Sequence, residues 1–153
     1  MAASAEETAS LAAALALALR PGDVVALKGD LGAGKTTFAR GLIAALAAEA
    51  GQAPPEVPSP TFTLVQTYDF PRATIWHFDL FRIERPEDAL ELGLDEALGD
   101  GVALIEWPER LGALLPRDHI EVAIDFGTGP EARRIALSAP EASGARIARA
   151  FGA

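Results

Sequence analysis

Gly29-Asp30-Leu31-Gly32-Ala33-Gly34-Lys35-Thr36 is the stretch on which the fold turns. It satisfies G-x-x-x-x-G-K-[ST], the phosphate-binding loop, and its surroundings agree with it. Ahead of it, the turn Pro21-Gly22-Asp23 opens the apolar run Val24-Val25-Ala26-Leu27, which reads as a buried strand. Behind it, Phe38, Leu42, Ile43 and Leu46 recur at helical spacing from Thr36 to Glu49, ending near Gly51. Strand, glycine loop and helix start are the parts such a site requires. Glycines let successive backbone N–H groups turn inward around phosphate oxygens, and the helix dipole adds positive potential at the same point. Lys35 supplies a mobile positive charge for the outer phosphates, and the Thr36 hydroxyl is of the type that sits on magnesium. The stretch implies a bound nucleoside triphosphate.

Outward from the loop, the chain reads as alternating helices and strands without repeats or linkers. A helix is predicted over 6–19, then strand 24–28 and helix 36–49. Pro54, Pro55, Pro58 and Pro60 make 53–60 a loop. Thr61 to Tyr68 and Thr74 to Asp79 read as an antiparallel pair around Phe70-Pro71-Arg72-Ala73. Pro86 to Leu98 has helical pattern, interrupted at Gly93, and Val102 to Ile105 is a second buried strand. A short helix over 108–115, a strand over 120–124, its hairpin partner over 134–137 and a helix over 141–151 complete the pattern. The expectation is one α/β domain over 1–153, a P-loop NTPase-like three-layer sandwich with parallel central strands, flanking antiparallel strands and helices on both faces.

Composition narrows the class. The chain has 153 residues, half of them apolar, enough for a sizeable core. Cysteine is absent, so disulfides and thiolate zinc sites are excluded. Leu11 to Leu19 is apolar but short, and Glu6 and Glu7 precede it instead of basic residues, so it reads as a packed helix and not as a signal peptide or membrane span. A cytoplasmic protein without membrane association is the expectation. Net charge is −9, and the only lysines are Lys28 and Lys35. The arginines are scattered, so no basic run tracks a nucleic-acid backbone, and any nucleic acid is expected to be held by a partner.

Three further segments carry chemistry. Ser59-Pro60-Thr61-Phe62-Thr63 ends the proline-rich loop, where nucleotide switches present a hydroxyl to the metal and outer phosphate; the competing reading is a loop whose hydroxyls cap local backbone. His77-Phe78-Asp79-Leu80-Phe81-Arg82 ends a strand, and ligands of open α/β sheets collect beyond strand ends. Asp79 is suited to orienting water there, whereas His77 reads as a structural histidine. Val102 to Ile105 runs into Glu106-Trp107-Pro108-Glu109, an apolar strand ending in a carboxylate, the second acidic element of phosphate-loop enzymes; Trp107 reads as packing.

Taken in order, Gly29 to Phe38, Ser59-Pro60-Thr61-Phe62, His77 to Arg82 and Glu106-Trp107-Pro108-Glu109 resemble the motif set of the bacterial TsaE (YjeE) family. The resemblance runs from about Ala5 to Leu137. It implies an ATPase working with TsaB and TsaD to make threonylcarbamoyladenosine in tRNAs that read codons beginning with A; with the net charge of −9, tRNA is expected to be reached only through those partners. The family's usual tyrosine is Phe81 here, which removes one hydroxyl. Candidate nucleotide-binding residues are Gly29, Asp30, Leu31, Gly32, Ala33, Gly34, Lys35, Thr36, Thr37, Thr61 and Asp79. Lys35, Asp79 and Glu106 are the candidate catalytic residues, and Thr36 and Glu106 the candidate magnesium ligands. By the same resemblance the segment around Glu6 to Thr8 lies near the base. ATP is favoured over GTP independently, because the chain contains no asparagine and neither lysine sits in an Asn/Thr-Lys-x-Asp context. Two rival classes are a small kinase and a binding module shaped by ATP occupancy. The kinase needs an arginine lid, but the acidic Glu87, Asp88 and Glu91 that follow Arg82 and Arg85 suit a surface helix.

Overall fold

A computed structural model describes residues 5–30, 32–57, 64–128 and 132–150. Along the chain these are helix α1 (Ala5–Ala16), strand β1 (Val24–Lys28), helix α2 (Lys35–Glu49), strands β2 (Val65–Asp69) and β3 (Thr74–Asp79), short helices α3 (Asp88–Glu91) and α4 (Leu94–Asp100) and strand β4 (Val102–Glu106). A 3-10 segment (Pro108–Leu114), strands β5 (Ile120–Phe126) and β6 (Arg133–Ser138), and helix α5 (Glu141–Ala150) follow. The strands form one six-stranded sheet in the order β2-β3-β4-β1-β5-β6. The central pairs β3–β4, β4–β1 and β1–β5 are parallel, and β2 and β6 add antiparallel edges. The expected parallel centre with antiparallel flanks is the architecture observed.

Period-two alternation divides the strand residues between two cores. Val25, Leu27, Ile75, Val102, Leu104 and Val122 point to the face covered by α1, α2 and α5, where Phe38, Leu42, Ile43 and Leu46 of α2 are fully or almost fully buried. Burying each of these large side chains contributes about 1.5–3 kcal/mol. Val24, Phe78, Ala103 and Ile105 pack on the opposite face with Ala89, Leu94, Ala97 and Leu111. Parallel sheets need this cover on both sides, which explains why β1 and β4 are continuous apolar runs.

Several boundaries differ from the sequence expectation. α1 stops at Ala16, after which Ala18 and Leu19 N–H donate to the Leu15 and Ala16 carbonyls at 3.0 and 3.2 Å, a tightened final turn. The freed carbonyls of Ala18 and Leu19 accept from the Arg146 and Arg72 guanidiniums. The segment predicted as one helix over 86–98 splits into α3 and α4 at Gly93, which adopts φ +95°. A Cβ there would lie 2.6 Å from the Trp76 ring, so the tryptophan under the break requires glycine. The expected helix over 108–115 is a 3-10 segment kinked at Gly112. Of the strand predicted over 61–68, Val65 to Tyr68 lie in β2, while Thr61, Phe62 and Thr63 lie outside the described residues.

Candidate functional site

Register brings the chemistry together. Glu106 is level with Leu27 across β4–β1 and with Asp79 across β4–β3, so both carboxylates stand at the strand ends where the loop leaves β1. Alternation then aims Ile75, His77 and Asp79, together with Leu104 and Glu106, at the face covered by α2. Among the described residues the buried polar or charged side chains are Thr8, Lys35, His77, Asp79, Glu106 and Ser143, and four of these six belong to this one place. Such grouping marks a site and not scattered core polarity.

The loop turns tightly back on itself. A Cβ at Gly29 would lie 2.5 Å from the Ile124 carbonyl oxygen, so only glycine lets the chain leave β1 against β5. Gly34, with φ +112°, precedes α2 and offers no side chain to cap it. The first N–H groups of a helix have no intrahelical acceptors, so this uncapped end presents donors and a positive dipole to an anion. Arg133, the first residue of β6, donates from Nε to the Ala33 carbonyl at 2.7 Å and from Nη1 to the Ala132 carbonyl at 2.9 Å. Its guanidinium also lies 5.0 Å from the Phe126 ring, so a cation is held against the loop.

Lys35 is folded back under this loop. Its Nζ donates to the Gly29 carbonyl and, at 3.4 Å, to that of Asp30, and sits 3.5 Å from the Trp107 ring centroid. Trp107 takes a left-handed backbone (φ +60°) and packs on Phe81 with ring centroids 4.8 Å apart. Burial lowers the Lys35 pKa below 10.5, opposed by the charges of Glu106, Glu109, Asp79 and Asp30. Thr36 Oγ1 lies 3.2 Å from each carboxylate oxygen of Glu106. His77 Nε2 is 2.7 Å from Glu106 Oε2, while its Nδ1 is buried without a partner. Facing a carboxylate, which only accepts, Nε2 is the donor of this bond. Asp79 Oδ1 accepts from the Phe81 N–H at 3.0 Å.

The structure therefore groups Gly29, Asp30, Gly32, Ala33, Gly34, Lys35, Thr36 and Thr37 along the loop and the first turn of α2, facing Asp79 and Glu106. Leu31 and Thr61 lie outside the described residues. Sequence reasoning left out three participants. His77 was read as structural but touches Glu106, Trp107 was read as packing but covers the lysine, and Arg133 was not singled out. The alternation Ile75, His77, Asp79 was a signal for the first. For Arg133, a hundred residues from Ala33, sequence held none.

Magnesium can be tested against these donors. Thr36 Oγ1 and the Glu106 carboxylate are hard oxygens beside the helix end that would receive phosphates, and magnesium completes its shell from phosphates and water. Among the described residues no group of three or more His, Cys, Asp or Glu could hold a metal ion.

A glycine loop between β1 and α2, a lysine and threonine at the helix start and a carboxylate at the end of β4 define a P-loop protein of the nucleotide-binding class. The family model described as "Threonylcarbamoyl adenosine biosynthesis protein TsaE" matches residues 2–135, and the chain belongs to the TsaE family. A Rickettsia bellii protein named tRNA threonylcarbamoyladenosine biosynthesis protein TsaE is 48% identical over 119 residues, covering 78% of this chain and 80% of the relative. The Bacillus subtilis protein of that name is 38% identical over 135 residues, covering 88% and 80%. The crystal structure of Bacillus subtilis YdiB superposes with a TM-score of 0.75 at 32% identity, covering 97% of this chain and 88% of that one.

Proposed function

We propose that this chain binds ATP with magnesium at the Gly29–Thr36 loop and hydrolyses it slowly, and that it serves threonylcarbamoyladenosine formation with TsaB and TsaD in tRNAs reading codons that begin with A. The observation that carries the reading is the meeting of Lys35 and Thr36 with Glu106 and Asp79 at one uncapped helix end, in a member of the TsaE family. Leu31 and Thr61 complete the proposed nucleotide contacts.

Lys35 exchanges its bonds to the Gly29 and Asp30 carbonyls for the outer phosphates and neutralises charge there. Thr36 and Glu106 would hold magnesium, which supplies further positive charge on the outer phosphates when bound. His77 keeps the Glu106 carboxylate turned toward Thr36 through its Nε2 bond. Asp79, level with Glu106 and almost fully buried, orients the attacking water. Turnover is slow because Arg133 is spent on the Ala33 and Ala132 carbonyls and does not reach forward as an arginine finger would.

The net charge of −9 opposes unaided tRNA binding, whose affinity comes largely from phosphate neutralisation, so the protein acts through partners. No helix among the described residues is long and apolar enough to cross a membrane, and the reading places the protein in the cytoplasm as a single nucleotide-binding domain. The test is reconstitution of the modification with TsaB, TsaD and tRNA, alongside calorimetric ATP titration of parent and Lys35→Ala. The expected result is dependence on this chain and loss of ATP binding in the variant with the fold intact. Modification that proceeds equally without this chain, or unchanged ATP affinity in Lys35→Ala, overturns the reading.

A further inference from the structure

At the opposite end of the sheet, α1, α5 and the β2–β3 turn enclose a groove of about 670 Å3 that the nucleotide reading does not use. Arg20 precedes β1 and Arg72 precedes β3, whereas Gly29 and Asp79 lie at the far ends of those two strands, so groove and loop are separated by the length of the sheet. Four of the chain's arginines line it, Arg20, Arg72, Arg146 and Arg149, in a protein whose net charge is −9.

These arginines divide into two roles. Arg72 grips Glu49 through Nε and Nη2 at 2.8 and 2.6 Å, and donates to the Leu19 carbonyl at 3.2 Å. Arg146 grips Asp23 at 2.8 and 3.0 Å and donates to the Ala18 carbonyl. They fix the walls. Among the described residues, the side chains of Arg20 and Arg149 are exposed and make no hydrogen bond or ion pair, so two free guanidiniums remain at the rim. The remaining lining residues are Ala14, Leu17, Ala18 and Ala145, and of these Leu17 is a large apolar side chain standing 52% exposed.

We propose that this groove docks a short acidic segment of a protein partner that carries a leucine-like side chain between its carboxylates. The planar fork of arginine matches a carboxylate, and both pairs already in the walls are bidentate. An exposed leucine gains from burial against an apolar side chain and offers nothing to a phosphodiester backbone. A long polyanion would also meet the repulsion of the remaining acidic surface, which a short segment largely avoids. Recognition is therefore of an acidic, partly apolar peptide and not of RNA, and it requires neither nucleotide nor hydrolysis.

Fluorescence anisotropy with the full chain tests this, using two labelled peptides rich in aspartate and glutamate, one with leucines and one with serines in their place, and bulk tRNA as a third probe. The leucine peptide is expected to bind about tenfold tighter than the serine peptide. Reversing both free charges, Arg20→Glu with Arg149→Glu, is expected to weaken it by about tenfold or more at low salt, with an unchanged thermal transition because neither side chain is bonded. Leu17→Ser should erase the preference for leucine while leaving charge-dependent binding. Failure of the leucine peptide to bind, indifference to the charge reversal, or a leucine preference that survives Leu17→Ser overturns the proposal. Tighter binding of tRNA through the same two arginines would assign the groove to nucleic acid and overturn it as well.

Discussion

Glu106→Gln separates the chemistry of the site from its packing. The side chain is buried, with His77 Nε2 at 2.7 Å and Thr36 Oγ1 at 3.2 Å. Glutamine keeps the shape and both contacts, because its amide oxygen accepts from His77 and its amide nitrogen donates to a rotated Thr36 hydroxyl. Replacing two charge-assisted bonds by neutral ones loses about 1 kcal/mol each, while removing a buried carboxylate relieves a desolvation penalty of several kcal/mol. The nucleotide-free variant should therefore be as stable as the parent, or more stable by about 1–2 kcal/mol, in urea titrations. Its turnover should fall by about a hundredfold or more, equivalent to roughly 2.7 kcal/mol, with a higher magnesium midpoint in a phosphate-release assay. Parental turnover and an unchanged magnesium midpoint would reduce Glu106 to a packing residue. A loss of several kcal/mol in stability would refute the energetic argument from the other side, since the carboxylate would then be holding the fold.

Three further outcomes follow from the same geometry. Because burial lowers the Lys35 pKa, the lysine loses its proton below 10.5. ATP affinity should then fall as pH rises through the lowered value, while nucleotide-free stability rises between that value and 10.5; parallel titrations of Lys35→Gln, flat in both respects, check the assignment. His77→Phe should leave Glu106 short of a buried donor, costing about 1–3 kcal/mol and raising the magnesium requirement, and His77→Gln should restore much of both; equal magnesium midpoints in all three proteins would deny the histidine a positioning role. Gly93→Ala should destabilise the protein by roughly 2–4 kcal/mol in urea, combining the positive φ with a Cβ driven into Trp76, and a shift below half a kcal/mol (about the scatter of surface substitutions) would contradict the close approach.

What could be read from sequence was whatever is local or periodic. The loop, the strands Val24 to Lys28 and Val102 to Glu106, and the carboxylate at the end of the latter follow from motif and alternation within a few residues. The parallel centre follows from strands separated by helices. Long-range register was not legible. Gly93 was visible as an interruption, but its necessity lies in Trp76, on a strand with no sequence signal pointing to α4. His77 becomes part of the site only once β3 is paired with β4 in a register that sets Asp79 beside Glu106, and Arg133 only once β6 folds back beside the loop. The α1 boundary lies earlier than its apolar pattern because the arginines that satisfy the Ala18 and Leu19 carbonyls just beyond it come from the hairpin turn and from α5.

The pairing of Thr36 with Glu106 has a consequence for the chain as it is made. The two residues are separated by 70 positions, with β2, β3 and the rest of β4 placed between the loop and its acidic partner in the order of synthesis. A ribosome-bound fragment ending before β4 carries the complete glycine loop and its lysine but none of the Glu106 carboxylate. Strand β1, which carries the loop, is flanked in the sheet by β4 and β5, both synthesised later, so the loop's own support is also missing until then. A fragment ending before β4 thus presents a phosphate loop that lacks both its strand neighbours and its carboxylate.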